Sequence, residues 1–91
     1  MNVLQHTAFL DGAQLDLTKT EYDLLEYLMR NKNAALTREQ LINAVWGYHY
    51  TGDSNVVDVY IRYLRMKTKN GAAKHCIETI RGLGYVLREK T

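Results

Sequence analysis

Residues 54–70 read SNVVDVYIRYLRMKTKN, and the fold turns on how this stretch is arranged in space. At about 100° per residue, Val57, Ile61 and Leu64 share one face of a helix with Tyr60 beside them, enough to dock it on a core. Asp53 or Ser54 supplies the cap. Arg62, Arg65 and Lys69 form a basic stripe along one side. Val59, Tyr63 and Met66 point away from the docking face, where a plain surface helix carries polar residues. An outward apolar strip bordered by cations suits a partner that is partly apolar and strongly negative. The DNA major groove is such a partner, because thymine methyls accept apolar contacts and phosphate walls accept cations. A protein surface rich in acidic residues is the rival reading.

C-terminal to this helix, HCIETI and YVL are β-type runs separated by Arg81, Gly82, Leu83 and Gly84. Gly82 and Gly84 read as turn formers, which makes the segment a hairpin with Arg81 near its tip. A guanidinium there is suited to a narrow minor groove, where the negative potential is enhanced.

N-terminal to it, VLQHTAFLDGAQLDLT holds Asp11-Gly12 between Ala8, Phe9, Leu10 and Leu15, Leu17, predicting a small antiparallel ribbon. Thr18 and Glu21 have capping-box spacing, and Tyr22, Leu25, Leu28 and Met29 then form one apolar stripe of a first helix. Thr37 and Gln40 open a second, with Leu41, Ile42, Ala44 and Val45 inward and Gly47 as its stop. Trp46 is a core anchor or a partner contact, with the core favoured. Residues 47–53, GYHYTGD, form a connection bearing Tyr48, His49 and Tyr50. The order is ribbon, three helices, hairpin, a layout that resembles an α+β winged helix-turn-helix, in which the third helix would be the reader and the hairpin a wing.

Composition agrees with one small domain spanning residues 1–91. With 46% hydrophobic and 24% charged residues, disorder is not the expectation. The net charge of +2 conceals a segregation: residues 1–61 carry four Lys or Arg against eight Asp or Glu, whereas residues 62–91 carry eight against two. A basic pole of this kind attracts a polyanion. Cys76, the single cysteine, reads as a strand filler in a reducing, cytosolic setting. No stretch approaches the ~20 apolar residues of a membrane span, and no signal peptide is visible. His49 has no second ligand at metal spacing, so neither metal nor cofactor is expected. Enzymatic activity is not expected either: Ser54 is the only serine, His6, His49 and His75 have no acidic partner at motif spacing, and no Gly-rich phosphate loop precedes a helix.

Four segments together, LDLTKTEYDLLEYL, LTREQLINAVWG, VVDVYIRYLRMK and IETIRGLGYVL, resemble the effector domain of the OmpR/PhoB class of bacterial two-component response regulators. The resemblance covers nearly the whole chain. It implies sequence-specific binding of double-stranded DNA in transcription control. Tyr60, Arg62, Tyr63 and Arg65 stand at DNA-facing positions, with Val59 at a base methyl. Thr79, Arg81 and Tyr85 match wing residues that contact backbone or minor groove, and Trp46 a helix end near a phosphate. The loop bearing Tyr48, His49 and Tyr50 corresponds to one that meets RNA polymerase in activators of the class. Further implied partners are a second copy, head to tail on direct repeats, and a receiver domain and sensor kinase. Two positions depart from the class: Asn55 is commonly basic and Tyr63 often arginine, so the operator is not transferable from a relative. The ribbon is about one strand short of the family pattern and no receiver domain is present, so the expectation is an excised fragment, ahead of a stand-alone regulator.

Overall fold

The computed structural model describes residues 5–10, 13–68 and 75–89. Asp11, Gly12 and Lys69 lie outside them. Strands β1 (Gln5–Leu10) and β2 (Ala13–Thr18) pair antiparallel from Gln5↔Thr18 to Leu10↔Ala13. Three helices follow: α1 (Lys19–Arg30), α2 (Arg38–Val45) and α3 (Asn55–Thr68). Strands β4 (His75–Ile80) and β5 (Gly84–Glu89) make the predicted hairpin, closed by Arg81, Gly82 and Leu83. Gly82, at φ +75°, takes the left-handed position, and Leu83 N–H donates to the Ile80 carbonyl at 3.0 Å.

Both capping boxes form. Thr18 Oγ1 accepts from Glu21 N–H at 3.2 Å while Glu21 Oε1 accepts from Thr18 N–H at 2.9 Å. Thr37 and Gln40 repeat the exchange at 3.0 and 2.8 Å. Each box satisfies two N–H groups that a helix start otherwise leaves without partners. At α3, the Asp53 carboxylate caps, accepting from Asn55 N–H at 2.9 Å. Gly47, at φ +98°, follows the last turn of α2 as expected.

The core gathers Leu17, Leu24, Leu25, Leu28, Leu36, Leu41, Val57, Ile61, Leu64, Tyr85 and Leu87. On α3 the expected docking residues Val57, Ile61 and Leu64 are fully buried. The stripes of the other helices differ in detail. Leu24, absent from the expected α1 stripe, is fully buried, while Tyr22 and Met29 are only half-buried. The reason is that α1 packs against β1, β2, α2, α3 and β5, so its apolar arc is wider than one stripe. Ala44, expected to face inward from α2, is exposed, and Leu41 with the half-buried Ile42 and Val45 does the packing.

Two further corrections concern the wing. A short strand β3 (Leu36–Thr37) pairs with β5, so the hairpin belongs to a three-stranded antiparallel sheet of order β3-β5-β4. Gly84 is therefore a strand residue, paired with both Thr37 and Ile80, and not a turn former. A Cβ built on it would lie 2.0 Å from the Leu36 carbonyl oxygen. The glycine is there because β3 approaches too closely for any side chain.

Candidate nucleic-acid interface

On α3 the outward strip is real. Val59, Tyr63 and Met66 are 39, 42 and 64% exposed, and Arg62 and Arg65 beside them are exposed as well. Asn55 is exposed at the start of the same helix. The next question is whether the wing lies on this side.

Arg65 answers it. Its Nη2 donates to the Ile77 carbonyl at 2.9 Å and to Thr79 Oγ1 at 2.8 Å, and its Nε lies 3.2 Å from the same carbonyl. These bonds fasten α3 to β4 directly. Arg81 stands two residues beyond Thr79, exposed at the turn, with Leu83, 40% exposed, beside it. The basic side of α3 and the wing tip thus share one side of the molecule.

The basic pole divides by function once its partners are known. Lys67 Nζ donates to Glu21 Oε1 at 2.6 Å and to the Asp16 carbonyl at 3.2 Å, tying the C-terminal end of α3 to the buried cap of α1. Arg88 pairs with Glu78 across the wing at 2.5 Å. Among the described residues, no ion pair joins Arg62 or Arg81 to a carboxylate, and both are exposed.

Tyr85 sits deeper than Thr79 and Arg81. Expected to contact DNA from the wing, it is only 5% exposed and belongs to the core. Its hydroxyl donates to Asp58 Oδ1 in a short hydrogen bond, and the same oxygen accepts from Arg38 Nε at 3.0 Å. The Arg38 and Arg65 guanidinium carbons lie 5.5 and 5.7 Å from the Tyr85 ring centroid, within cation–π range. Burial, and then the hydrogen bond to the Asp58 carboxylate, push the Tyr85 phenol above its ordinary range. The bond to Asp58 raises Arg38 further, so at neutral pH the guanidinium stays charged and the phenol stays neutral. Sequence reading missed Asp58 and Arg38. The available signal was Asp58 at i, i+4, i+7 spacing with Arg62 and Arg65, an acid in line with a basic stripe.

The aromatic positions divide similarly. Trp46 is half-buried against the core and meets Tyr60 edge-on, ring centroids 5.4 Å apart; Tyr60 in turn meets Tyr63 edge-on at 5.5 Å. Such pairs hold ring orientations, so the core reading of Trp46 accounts for its setting. In the α2–α3 loop Tyr48, 83% exposed, and His49 project outward. Tyr50 departs from expectation by turning inward, its ring 6.3 Å from that of Trp46 and its hydroxyl donating to the Asp53 carbonyl at 3.1 Å. Among the described residues no cluster of His, Cys, Asp or Glu is arranged for a metal ion, and no helix is long and apolar enough to cross a membrane.

Comparison with known proteins agrees with this geometry. Residues 12–87 match the family model described as transcriptional regulatory protein, C terminal. The response regulator ArlR of Staphylococcus saprophyticus is 60% identical over 80 residues, which cover 88% of this chain and 36% of that protein. The chain thus spans about a third of the length of the curated relatives it matches. Among solved structures, the DNA-binding domain of Bacillus subtilis CssR superposes with a TM-score of 0.73 at 37% identity, covering 84% of this chain and 82% of that one. The Klebsiella pneumoniae RstA DNA-binding domain, solved in complex with the RstA box, superposes with a TM-score of 0.75 at 29% identity over 90% of this chain and 82% of that one. With three helices, a fastened wing and a family match over most of its length, the chain belongs to the C-terminal domain family of transcriptional regulatory proteins, as a winged-helix effector domain of the OmpR/PhoB response-regulator type.

Proposed function

We propose that the chain binds double-stranded DNA in a sequence-dependent manner as the output domain of a response regulator. The observation that carries this reading is the bond set of Arg65, which holds the exposed strip of α3 and the wing tip on one side. In this reading α3 lies in the major groove. Val59 and Met66 offer apolar contact to thymine methyls, Tyr63 meets base edges with Tyr60 supporting it, and Arg62 and Asn55 face phosphates. Thr79 contacts the backbone, and Arg81 enters the neighbouring minor groove with Leu83 beside it. Arg65 adds positive potential while bracing the wing. Lys69 extends the stripe but lies outside the described residues.

Beyond DNA, Tyr48 and His49 are the exposed part of a surface for RNA polymerase. The loop's other aromatic, Tyr50, is its internal support. A second copy binding head to tail on a direct repeat, and a receiver domain with its sensor kinase in the cytoplasm, complete the reading. The test is selection of bound duplexes from a random pool, with the salt dependence of binding measured on the winners. A consensus repeated at about one helical turn is expected. Affinity is expected to fall by about 0.9 log units per log unit of salt for each phosphate neutralised. A flat salt response and no consensus would refute DNA binding and favour a protein-binding winged helix.

A further inference from the structure

Tyr85 is held by α3 at two places. Asp58 binds its hydroxyl, and Arg65, seven residues further on, sets its guanidinium against the ring. Seven residues are two turns, about 10 Å along the axis, and both positions lie on one helix face. Because both contacts meet on one ring, they locate Tyr85 but by themselves leave the wing a pivot about it. Arg65 also binds the partner strand at Ile77 and Thr79, so both strands of the wing are attached to the same helix. Arg38 closes the arrangement from the start of α2 through the shared Asp58 oxygen. No contact in this set requires a ligand, so the wing angle is set before any DNA arrives.

We propose that Asp58, Arg65 and Tyr85 act as a spacing gauge: positioning residues that fix the separation of α3 from the wing tip and so make the domain selective for the distance between its major-groove and minor-groove elements. Specificity of this kind requires no base contact from Asp58 or Tyr85. It rests on the DNA-binding reading above, and the tests are chosen so that the two fail separately.

The first test needs no DNA. Spin labels are placed at Met66→Cys and Leu83→Cys in a Cys76→Ala background, and the inter-label distance distribution is measured with Tyr85 intact and with Tyr85→Phe. The phenyl ring keeps its packing and loses only the hydroxyl, and a thermal melt verifies the fold. Asp58→Asn approaches the same bond from the other side if the first variant is unstable. A single narrow distribution that broadens in the variant is expected. Unchanged width refutes the gauge whatever the DNA does.

The second test uses duplexes selected on the wild-type chain, with the A·T-rich minor-groove tract displaced by one or two base pairs from the major-groove element. Displacement by one base pair is expected to weaken wild-type binding about ten-fold, the scale of one mismatched pair, and the Tyr85→Phe variant by less than about three-fold. Equal discrimination by both proteins refutes the gauge, as does a wild type that binds its consensus at every spacing. A wild type that selects no consensus, while its label distance still broadens in the variant, sinks the DNA reading and leaves a rigid helix–wing joint.

Discussion

Replacing Gly84 by alanine gives the most direct check on the fold, because the sequence assigned this glycine to a turn and the structure assigns it to a strand. A Cβ at position 84 would sit 2.0 Å from the Leu36 carbonyl oxygen and 3.0 Å from the Leu36 carbonyl carbon and Thr37 Cα. Those atoms are backbone, with no side chain to swing aside. Overpacking of this kind costs about 1–3 kcal/mol. The displaced strand also carries Thr37, the α2 cap, whose loss costs about 1 kcal/mol more. The expected total is roughly 2–4 kcal/mol, and at 4–8 °C per kcal/mol for a domain of this size the melting temperature drops by about 10–30 °C. Gly82→Ala is the control. Nothing lies within 4 Å of a Cβ there, and only the φ of +75° is unfavourable, so about 1 kcal/mol is lost. Thermal unfolding followed by circular dichroism measures both. If Gly84→Ala melts within a few degrees of the parent, or above Gly82→Ala, the close approach of β3 to β5 is wrong.

Glu21→Ala removes the acceptor for both Thr18 N–H and Lys67; with Lys67 free to reach solvent, urea unfolding is expected to show a loss of about 2–3 kcal/mol, and a loss below half a kcal/mol would show the pair to be idle. Arg81→Ala is expected to weaken duplex binding by about 1–3 kcal/mol and to soften the preference for A·T-rich flanks; an unchanged titration would remove the wing tip from the interface. Tyr63→Ala is expected to change which bases are selected more than total affinity, and a uniform loss over all sequences would limit Tyr63 to packing. The Tyr85 phenol ionises later in the folded chain than its ordinary value of 10.0. Its contribution to stability is therefore complete below about pH 10 and lost as pH rises through the higher folded value. Stability of the parent should fall more steeply above pH 10 than that of Tyr85→Phe, and parallel curves would contradict the buried setting of the phenol.

Local grammar was legible without coordinates. Two capping boxes, the three docking residues of α3 and the exposed Val59, Tyr63 and Met66 are consequences of spacing along one element, and spacing is what a sequence displays; the antiparallel ribbon was signalled by its Asp-Gly dipeptide. The candidate interface was legible for the same reason, since one helix face and one turn tip carry its exposed residues. What the tertiary structure alone decided are contacts between segments distant in the chain. Strand β3 is two residues long, too short for any periodicity, and exists because β5 passes beside it. Gly84 follows from that passage. Tyr85 looks like a surface aromatic until Asp58, from 27 residues away, takes its hydroxyl. Lys67 and Arg65 are equivalent as charges in a sequence, yet one is turned to the buried Glu21 and the other to the wing. Charge type and helical period are local properties, whereas the partner a long side chain finds depends on which elements the core brings together. That is fixed only when the whole chain packs.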